Sequence, residues 1–481
     1  MSHRNCLAFA MALALAACGG GGGSPSSGGS TSGSSTSGGG TSASGPAVSI
    51  TATPPAVTKD AFAQVSFGAS GAARFSCSLD GAAAQDCTSP HLVFPLDVGA
   101  HRLTVTAFDA SGNAGTPATA QWTVSSIFGD AADRSLHPEL IATTQQPAPV
   151  EPNSWRGIMR INCDFSHSSY DDPIVFPGRA GAAHLHRFYG NLLLDENSTI
   201  ESLFTSGNSS CQGNTLNRSS YWIPALIAPS YAPGTSTQLT DANGDPAFKV
   251  VPAVVGNDDV AHEIFYYSAG VSDLSSIQPI PLGMKMIAGN HMGQPGQEQD
   301  TSIVRWHCQS WESSDANNPR WSTSIPACTA PDRLRMDIFF PSCWNGTDLD
   351  SSDHKSHLAY PVSSGNQTVC PSSHPVPIIR VSYHYAWGVL PEYYDPTTRS
   401  SAGWRLASDS YATGGANAGG MSLHGDWFNA WHPEALQAIL DNCIKGALDC
   451  HDGNLATGVR FSGTRPGTQG EAEVVNMGHG T

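Results

Sequence analysis

Short apolar runs, separated by prolines, glycines and polar residues, make up the region from about Ser135 to Gly453. Examples are "RINCDF", "AFKVVPAVV", "EIFYYSAG" and "VPIIRVSYHY", which are rich in β-branched and aromatic residues. Runs of this length and composition are typical of β-strands, whereas a helix shows a longer periodic pattern. We therefore predict a large, mainly β domain with long loops and few helices.

One segment predicts a helix, "HPEALQAILDNCIKG". Pro433 occupies its first turn, where a missing N–H costs little, and Gly446 is a typical stop. The apolar residues recur at helical spacing, at Leu436, Ile439, Leu440 and Cys443. This is the clearest helix in the sequence.

Residues 47–126 carry a different β pattern. "VSITATPP", "AQVSFGAS", "HRLTVTAFDASGNAG" and "AQWTV" alternate apolar and polar residues between turn residues, which predicts a small β-sandwich. "FSCSLDGAAAQDCTSP" and "VGAHRLTVTAFDASGNAG" resemble bacterial immunoglobulin-like modules, and the resemblance implies a spacer or an adhesive unit. Cys77 and Cys87 bracket a predicted hairpin, so we pair them as a disulfide.

The first residues, "MSHRNCLAFAMALALAACGG", combine Arg4 with an apolar run and then a cysteine. The run is too short for a transmembrane helix and is typical of a secretory signal. The stretch resembles the lipobox of bacterial lipoproteins, which implies lipid modification of Cys18; the alternative is an ordinary signal peptide. Because Gly19 is not the Asp that retains such lipoproteins in the inner membrane, we expect a lipid-anchored protein of the cell envelope, at the outer membrane or the cell surface.

Composition divides the chain further, because the residues after Cys18 are almost entirely Gly and Ser and predict a flexible tether. The last residues are polar and lack periodicity. The predicted parts are a lipoprotein signal peptide (1–17), a tether (18–46), an immunoglobulin-like sandwich (47–126), a large domain (130–453) and a tail (454–481). The membrane is contacted only through the lipid.

Charge and cysteine content narrow the function. The formal net charge is -17 and no basic cluster occurs, so nucleic acid is excluded as a partner, because phosphate binding needs clustered Lys and Arg. Export to an oxidising compartment favours disulfides over a thiolate metal site. By sequence proximity we pair Cys308 with Cys328 and Cys443 with Cys450.

Four clusters of His and Asp are the candidates for chemistry. In "GAAHLHRFYG", His184 and His186 are two residues apart, so on a strand both rings face one side, and His424 and Asp426 repeat this spacing in "SLHGDWFNAW". The other clusters are "NCDFSHSSYDDPIVFPG" and "DLDSSDHKSHLAYP". The candidate catalytic residues are His184, His186, His354, His357, His424, Asp353 and Asp426; three of them, His184, His186 and His424, are also candidate metal ligands.

These motifs carry a resemblance to a known family. "CDFSHSSYDDPIVFPGRAGAAHLHRFYGN", "NRSSYWIPAL", "FPSCWNGTDLDSSDHKSHLAYP", "CPSSHPVPI" and "SLHGDWFNAW" together resemble the family numbered 1996 among the domains of unknown function, over about residues 137–451. Its members are secreted fungal and bacterial proteins, often attached to wall-associated or carbohydrate-binding modules. The resemblance implies an extracellular setting and a glycan partner, and it assigns no reaction.

Two functions from different classes follow. The first is an enzyme, a hydrolase or lyase, that acts on an extracellular polysaccharide through either a metal-bound water or His/Asp acid–base chemistry; a divalent metal is the cofactor of the first mechanism alone. The second is a non-catalytic glycan-binding or adhesion protein. In either case the candidate substrate-binding residues are Arg218, Tyr221, Trp222, Trp427 and Lys355. A purely structural role for the histidines is the third possibility.

Overall fold

The computed structural model describes residues 45–150, 157–252, 263–314, 320–413 and 417–464. The signal peptide, Cys18 and nearly all of the tether lie outside the described residues, as does the tail beyond residue 464. The described chain is mainly β, with short helices, as the sequence predicts. No described helix has both the length and the apolar character that crossing a membrane requires.

The first part of the chain is a small sandwich of two sheets. Its strands are β1 (Ser49–Ala52), β2 (Val57–Thr58), β3 (Ala63–Gly68), β4 (Arg74–Leu79), β5 (Gln85–Cys87), β6 (His91–Val93), β7 (Gly99–Phe108) and β8 (Ala118–Val124). The sheet orders are β1-β3-β6 and β2-β8-β7-β4-β5. Alternate residues of β7, Leu103 and Val105 among them, are fully buried, because successive side chains of a strand face opposite sides.

The described residues after the sandwich form twenty-two further strands. They are β9 (Leu140–Ala142), β10 (Ala148–Pro149), β11 (Ile158–Cys163), β12 (His167–Ser169), β13 (His186–Gly190), β14 (Ser220–Pro224), β15 (Leu226–Pro229), β16 (Phe248–Val250), β17 (Glu263–Ser268), β18 (Lys285–Gly289), β19 (Val304–Cys308), β20 (Arg333–Phe339), β21 (Cys343–Trp344), β22 (Leu358–Ala359), β23 (Val362–Ser364), β24 (Gln367–Val369), β25 (Val376–Pro377), β26 (Arg380–Gly388), β27 (Arg405–Leu406), β28 (His424–Phe428), β29 (Leu448–Cys450) and β30 (Val459–Phe461). The α-helices are α1 (Ala131–Ser135), α2 (Ile200–Thr205), α3 (Gln309–Ser314) and α4 (Pro433–Ala438). α4 begins at the predicted proline and continues as a π-helix over Ile439–Ile444.

Two large sheets pack face to face and form the main core. The seven-stranded sheet has the order β10-β29-β11-β17-β26-β20-β19, and the five-stranded sheet has the order β12-β13-β14-β28-β18. Between them, the ring of Tyr221 lies 4.4 Å from that of Phe265. Gly425 permits the close approach of β28, since a Cβ atom there would lie 2.9 Å from Ile338 Cδ1 and 3.2 Å from the ring of Tyr383.

The opposite face of the five-stranded sheet bears a second apolar cluster. Across the strands, Phe188 lies opposite Trp222, Trp222 opposite Asp426, and Asp426 opposite Ile287. The sandwich contributes Ala61 to this cluster. The module that resembles a spacer therefore also packs on the large domain, on the sheet face that carries Asp426.

Five disulfides join cysteines within the described part of the chain. Three join the pairs expected from the sequence, and two others join partners that are farther apart: Cys77–Cys87, Cys308–Cys328, Cys443–Cys450, Cys163–Cys211 and Cys343–Cys370. In the region predicted as a tail, β30 pairs antiparallel with β9, and Phe461 is fully buried.

A polar cluster is buried where the sandwich meets the large domain. Lys59 Nζ donates to Glu139 Oε1 at 2.6 Å, and neither ring nitrogen of His432, a buried residue, has a hydrogen-bond partner among the described residues. Burial, followed by the cationic neighbours His137 and Arg218, lowers the pKa of His432 to about 3. His432 is therefore neutral in the folded protein at pH values where an exposed histidine takes up a proton.

The burial of neutral His432 predicts that the stability of the protein depends on pH, and that replacing His432 weakens this dependence. Below pH 6.5 the unfolded chain binds a proton at residue 432 and the folded chain does not, so the free energy of unfolding falls as the pH falls. We expect His432→Gln to lose about 2 kcal/mol less than the wild type between pH 7 and pH 5 in urea denaturation. His374→Gln, at an exposed loop, is the control. Equal losses in the wild type and H432Q would contradict this assignment.

Candidate functional site

Three histidines meet at one end of the five-stranded sheet. His186 begins β13 and His424 begins β28, while His184 lies just before β13. Ring centroids of His184 lie 4.2 Å from His186 and 5.0 Å from His424. Leu185 points the other way, into an apolar cluster with Ile227. The alternation of an extended chain thus puts the two rings of "HLH" on one side.

Backbone carbonyls fix the tautomer of two of these rings. His186 Nδ1 lies 3.1 Å from the carbonyl oxygen of Asp171, and His424 Nδ1 lies 2.8 Å from that of Ser422. A carbonyl oxygen only accepts hydrogen bonds, so Nδ1 carries the proton in both neutral rings. Each Nε2 therefore presents a lone pair, the arrangement found in histidines that ligate metals.

Two carboxyl groups adjoin the imidazoles. Asp426 Oδ2 lies 3.8 Å from His424 Nε2, is buried and accepts no hydrogen bond. Asp172 accepts from the backbone N–H groups of Ile174 and Val175 at 2.8 and 2.9 Å. Asp172 and Asp426 are both buried, with 3% and 1% of their surface exposed. The site therefore combines three imidazole nitrogens with two carboxyl groups that are largely shielded from solvent.

Two overlapping sets of three of these groups lie close enough together to be candidates for holding a metal ion. Ligand atoms of His184, His186 and His424 all lie within 4.8 Å of one another, and those of Asp172, His186 and Asp426 do so as well. Ligands of one ion are separated by at most ~4 Å, because each is about 2.0–2.2 Å from the metal, so either set would have to contract slightly to bind one. The unpartnered Nε2 atoms of His184 and His186 fit this use.

Burial controls the protonation of the site. It lowers the pKa of His184 and His424 well below the usual value, with a smaller contribution from the neighbouring imidazoles, and it lowers the pKa of His186. Burial and the nearby Asp172 raise the pKa of Asp426 well above its usual value. The rings are consequently neutral and ready to bind a cation without releasing protons.

A pocket of about 300 Å³ opens onto the cluster. His184, His424, Asp172 and Asp426 are part of its wall, and the other wall residues are mostly apolar or aromatic, such as Tyr170. Further wall residues are Phe176, His291, Met292, Ser408, Asp409 and Ser410. Most small-molecule sites have this composition, an apolar cavity with a few convergent polar groups.

The candidates of the "DLDSSDHKSHLAYP" cluster do not reach the pocket wall. His357 is buried, and its two ring nitrogens are bonded to Ser351 Oγ and the carbonyl oxygen of Lys285. His354 Nδ1 bonds Asp350 Oδ1 at 2.8 Å. Asp353 is exposed and accepts hydrogen bonds within its own loop. These three residues hold a loop together, which corrects their assignment as catalytic residues.

Four of the predicted substrate-binding residues lie away from the pocket. Tyr221, Trp222 and Trp427 are fully buried in the apolar clusters and offer no surface to a ligand. Arg218 donates to the carbonyl oxygens of Phe204 and Gly207, near the sandwich. Lys355, the fifth, lies beside the site and not in the pocket wall, because its Nζ donates to the carbonyl oxygen of Gly289, which lies opposite His424 in the sheet.

Sequence reasoning missed His291. It follows β18, whose Gly289 lies opposite His424, and its ring lies 6.0 Å from that of His424. No motif marks it, since "GNHMGQ" has no second His or Asp at a short spacing. Asp172 belongs to the "NCDFSHSSYDDPIVFPG" cluster, and only the fold shows that this carboxylate, rather than the neighbouring His167, meets the histidines.

Comparisons with known proteins place most of this region in one family. Residues 172–431 match the model described as "Domain of unknown function (DUF1996)", and the five residues of the site all lie within the match. No curated protein matches the chain.

Two solved structures are similar over parts of the chain. Fibronectin(III)-like modules of CbhA from Clostridium thermocellum are 25% identical, with 16% of this chain and 94% of that chain covered, at a TM-score of 0.14. Carbohydrate-binding modules of the β-sandwich superfamily are 10% identical, with 72% of this chain and 92% of that chain covered, at a TM-score of 0.15. Scores this low support no conclusion on fold or function.

Because the buried Asp426 Oδ2 accepts no hydrogen bond from the described residues, we predict that replacing Asp426 stabilises the metal-free protein. At pH 7 the unfolded chain ionises Asp426, whereas burial disfavours the ionised form in the folded chain, so this residue costs stability above about pH 4. Asp426→Asn removes the charge, and we expect it to raise the free energy of unfolding in EDTA by about 1–3 kcal/mol.

The control is Asp353→Asn, which loses hydrogen bonds that lower the pKa of that exposed carboxyl group, and should lower the stability. Chemical denaturation measures both variants. A loss of stability in D426N without metal would show that the carboxylate is a structural element of the apo fold.

Proposed function

We propose that this chain, which belongs to the DUF1996 family as its sequence motifs predict, is an extracellular, metal-dependent hydrolase or lyase acting on glycans. One observation carries the proposal: three buried, neutral imidazoles and two carboxyl groups cluster beside one pocket, with ring nitrogens that have no partner among the described residues. Unpartnered polar atoms cost free energy when buried, so such a set implies a ligand.

The donor set favours a divalent transition metal. Imidazole suits Zn²⁺, Fe²⁺, Ni²⁺ and Cu²⁺, and three His ligands leave a coordination position open, as catalytic zinc sites do. Bound there, the metal would supply a Lewis acid. His184, His186 and His424 would hold it through Nε2, while Asp426 and Asp172 are placed to complete the coordination or to exchange a proton with the substrate.

The pocket supports a sugar as the ligand. A sugar ring has apolar C–H faces and a polar rim, and the pocket offers Tyr170 and Phe176 beside the hydroxyl groups of Ser408 and Ser410. Its volume of about 300 Å³ is at the lower limit of typical ligand sites, which suits one or two sugar rings.

The alternative is a non-catalytic glycan-binding or adhesion protein, which the immunoglobulin-like module suits equally well. Binding alone is achieved with aromatic and amide groups, however, and does not need two buried carboxylates that repel each other. The composition of the site therefore favours an enzyme.

Metal content tests the proposal. We expect about one equivalent of a divalent metal in the purified full-length protein by elemental mass spectrometry, and a loss of most of it in the His184→Ala, His186→Ala double variant and in His424→Ala, because each change removes ligands. His354→Ala, outside the cluster, is the matched control and should keep its metal.

Release of reducing or unsaturated sugar ends from a polysaccharide panel then separates the two functions. Cleavage that EDTA abolishes and the metal restores supports the enzyme. Metal and glycan binding without any product supports the adhesion protein. A metal-free wild type, or equal metal in every variant, would end the metal mechanism.

We further propose that the protein is anchored to the envelope by lipid on Cys18, after removal of residues 1–17. Cys18→Ser should move the protein from the membrane fraction to the soluble fraction of lysed cells and abolish incorporation of labelled palmitate. Cys6→Ser, within the removed segment, should change neither. Unchanged fractionation of C18S would refute the anchor.

A further inference from the structure

We infer that the substrate carries an acidic group, a carboxylate or a sulfate, and that the ammonium group of Lys355 recognises it. The inference rests on the proposed function and names the substrate class of the same site. It gives a role to the loop that carries Lys355, which contains none of the candidate metal ligands of the site. That loop, residues 348–357, is called the lysine loop below.

The lysine loop is rigidly built around Lys355. Asp353 Oδ1 accepts from the backbone N–H of Lys355 at 3.1 Å and from that of Ser356 at 2.8 Å. His357 Nε2 donates to the carbonyl oxygen of Lys285 at 2.8 Å, which ties the loop to β18. Three residues first assigned to catalysis, among them His354, therefore fix the position of one lysine.

His354 adds a conformational cost to this arrangement. Its φ of 56° lies in the left-handed region, which is unfavourable for a residue with a side chain. The bond from His354 to Asp350, which Lys285 also approaches at 3.4 Å, offsets that cost. Strained backbone held by a local network is typical of segments that position a functional group.

The loop brings the ammonium group of Lys355 close to the three histidines of the site. Lys355 Nζ donates to the carbonyl oxygen of Gly289 at 2.5 Å, and Gly289 lies directly opposite His424 in the sheet. Among the described residues, no carboxylate lies within the 4 Å of an ion pair with Lys355, so the ammonium group keeps donors for another acceptor.

Charge balance makes that acceptor an anion. A divalent ion and the two carboxylates, Asp172 and Asp426, sum to zero. Asp409 also lines the pocket, but its carboxylate accepts from the backbone N–H groups of Leu406 and Gly420, and the guanidinium group of Arg405 donates to the carbonyl oxygen of the same residue. With metal bound, Lys355 adds a positive charge beside the pocket, which an acidic group on the sugar would neutralise.

The test compares an acidic glycan with its neutral counterpart. Calorimetry measures the binding of polygalacturonate, hyaluronan and chondroitin sulfate fragments to the metal-loaded full-length protein, beside the same fragments after chemical reduction or desulfation. We expect at least one acidic fragment to bind tenfold or more tightly than its neutral form. The carboxylate and sulfate arms identify which group is recognised.

Variants then assign the preference to one residue. Lys355→Met should remove the difference between acidic and neutral forms, Lys355→Arg should keep most of it, and Lys445→Met, at the surface, should leave it unchanged. All variants should keep their metal, because Lys355 is not a ligand.

Three results overturn the inference: no binding of any acidic fragment, equal binding of acidic and neutral forms by the wild type, or an unchanged preference in K355M. Failure of the proposed function is separate, because it would show as absent metal or absent cleavage in the wild type. A metal-loaded protein that cleaves only neutral glycans would keep the function and refute the role of Lys355.

Discussion

Two backbone carbonyl oxygens determine what the site can do. Those of Asp171 and Ser422 accept from Nδ1 of His186 and His424, so the protons of both rings are held by the main chain and the Nε2 lone pairs are left for a ligand. The opposite tautomers would present N–H donors and repel a cation. The affinity that we propose for a metal thus depends on main-chain positions in two segments, and less on the surface of the pocket.

The fold can hold such a polar set because the surrounding structure is well packed. One face of the five-stranded sheet is buried against the seven-stranded sheet, and the other supports the site beside an apolar cluster to which the sandwich contributes. Residues 426 and 427 show the division, since Asp426 faces the pocket and Trp427 lies in the main core. The cost of burying two carboxylates is offset by this packing and, in our proposal, by the metal.

Local geometry was predictable from the sequence, and convergence was not. The spacing of His184 and His186 indicates rings on one side, because strand alternation depends only on neighbouring residues. The same alternation places Trp427 on the opposite face of its strand from Asp426, and Tyr221 on the opposite face from Trp222. Neither pair can therefore line one surface, and strand alternation alone permits this inference from the sequence. Cys163 and Cys211 are 48 residues apart, and only the fold brings them together. His354 and His357 resemble ligands in sequence because spacing does not reveal that their nitrogens are bonded within a loop.

Anomalous diffraction from a crystal of the metal-loaded protein tests the central claim most directly. The account predicts one anomalous peak at about 2.0–2.2 Å from Nε2 of His184, His186 and His424, with Nδ1 of His186 and His424 still bonded to the carbonyl oxygens of Asp171 and Ser422. A peak bound through Nδ1, a peak at the lysine loop instead of this cluster, or an empty cluster at saturating metal would contradict it.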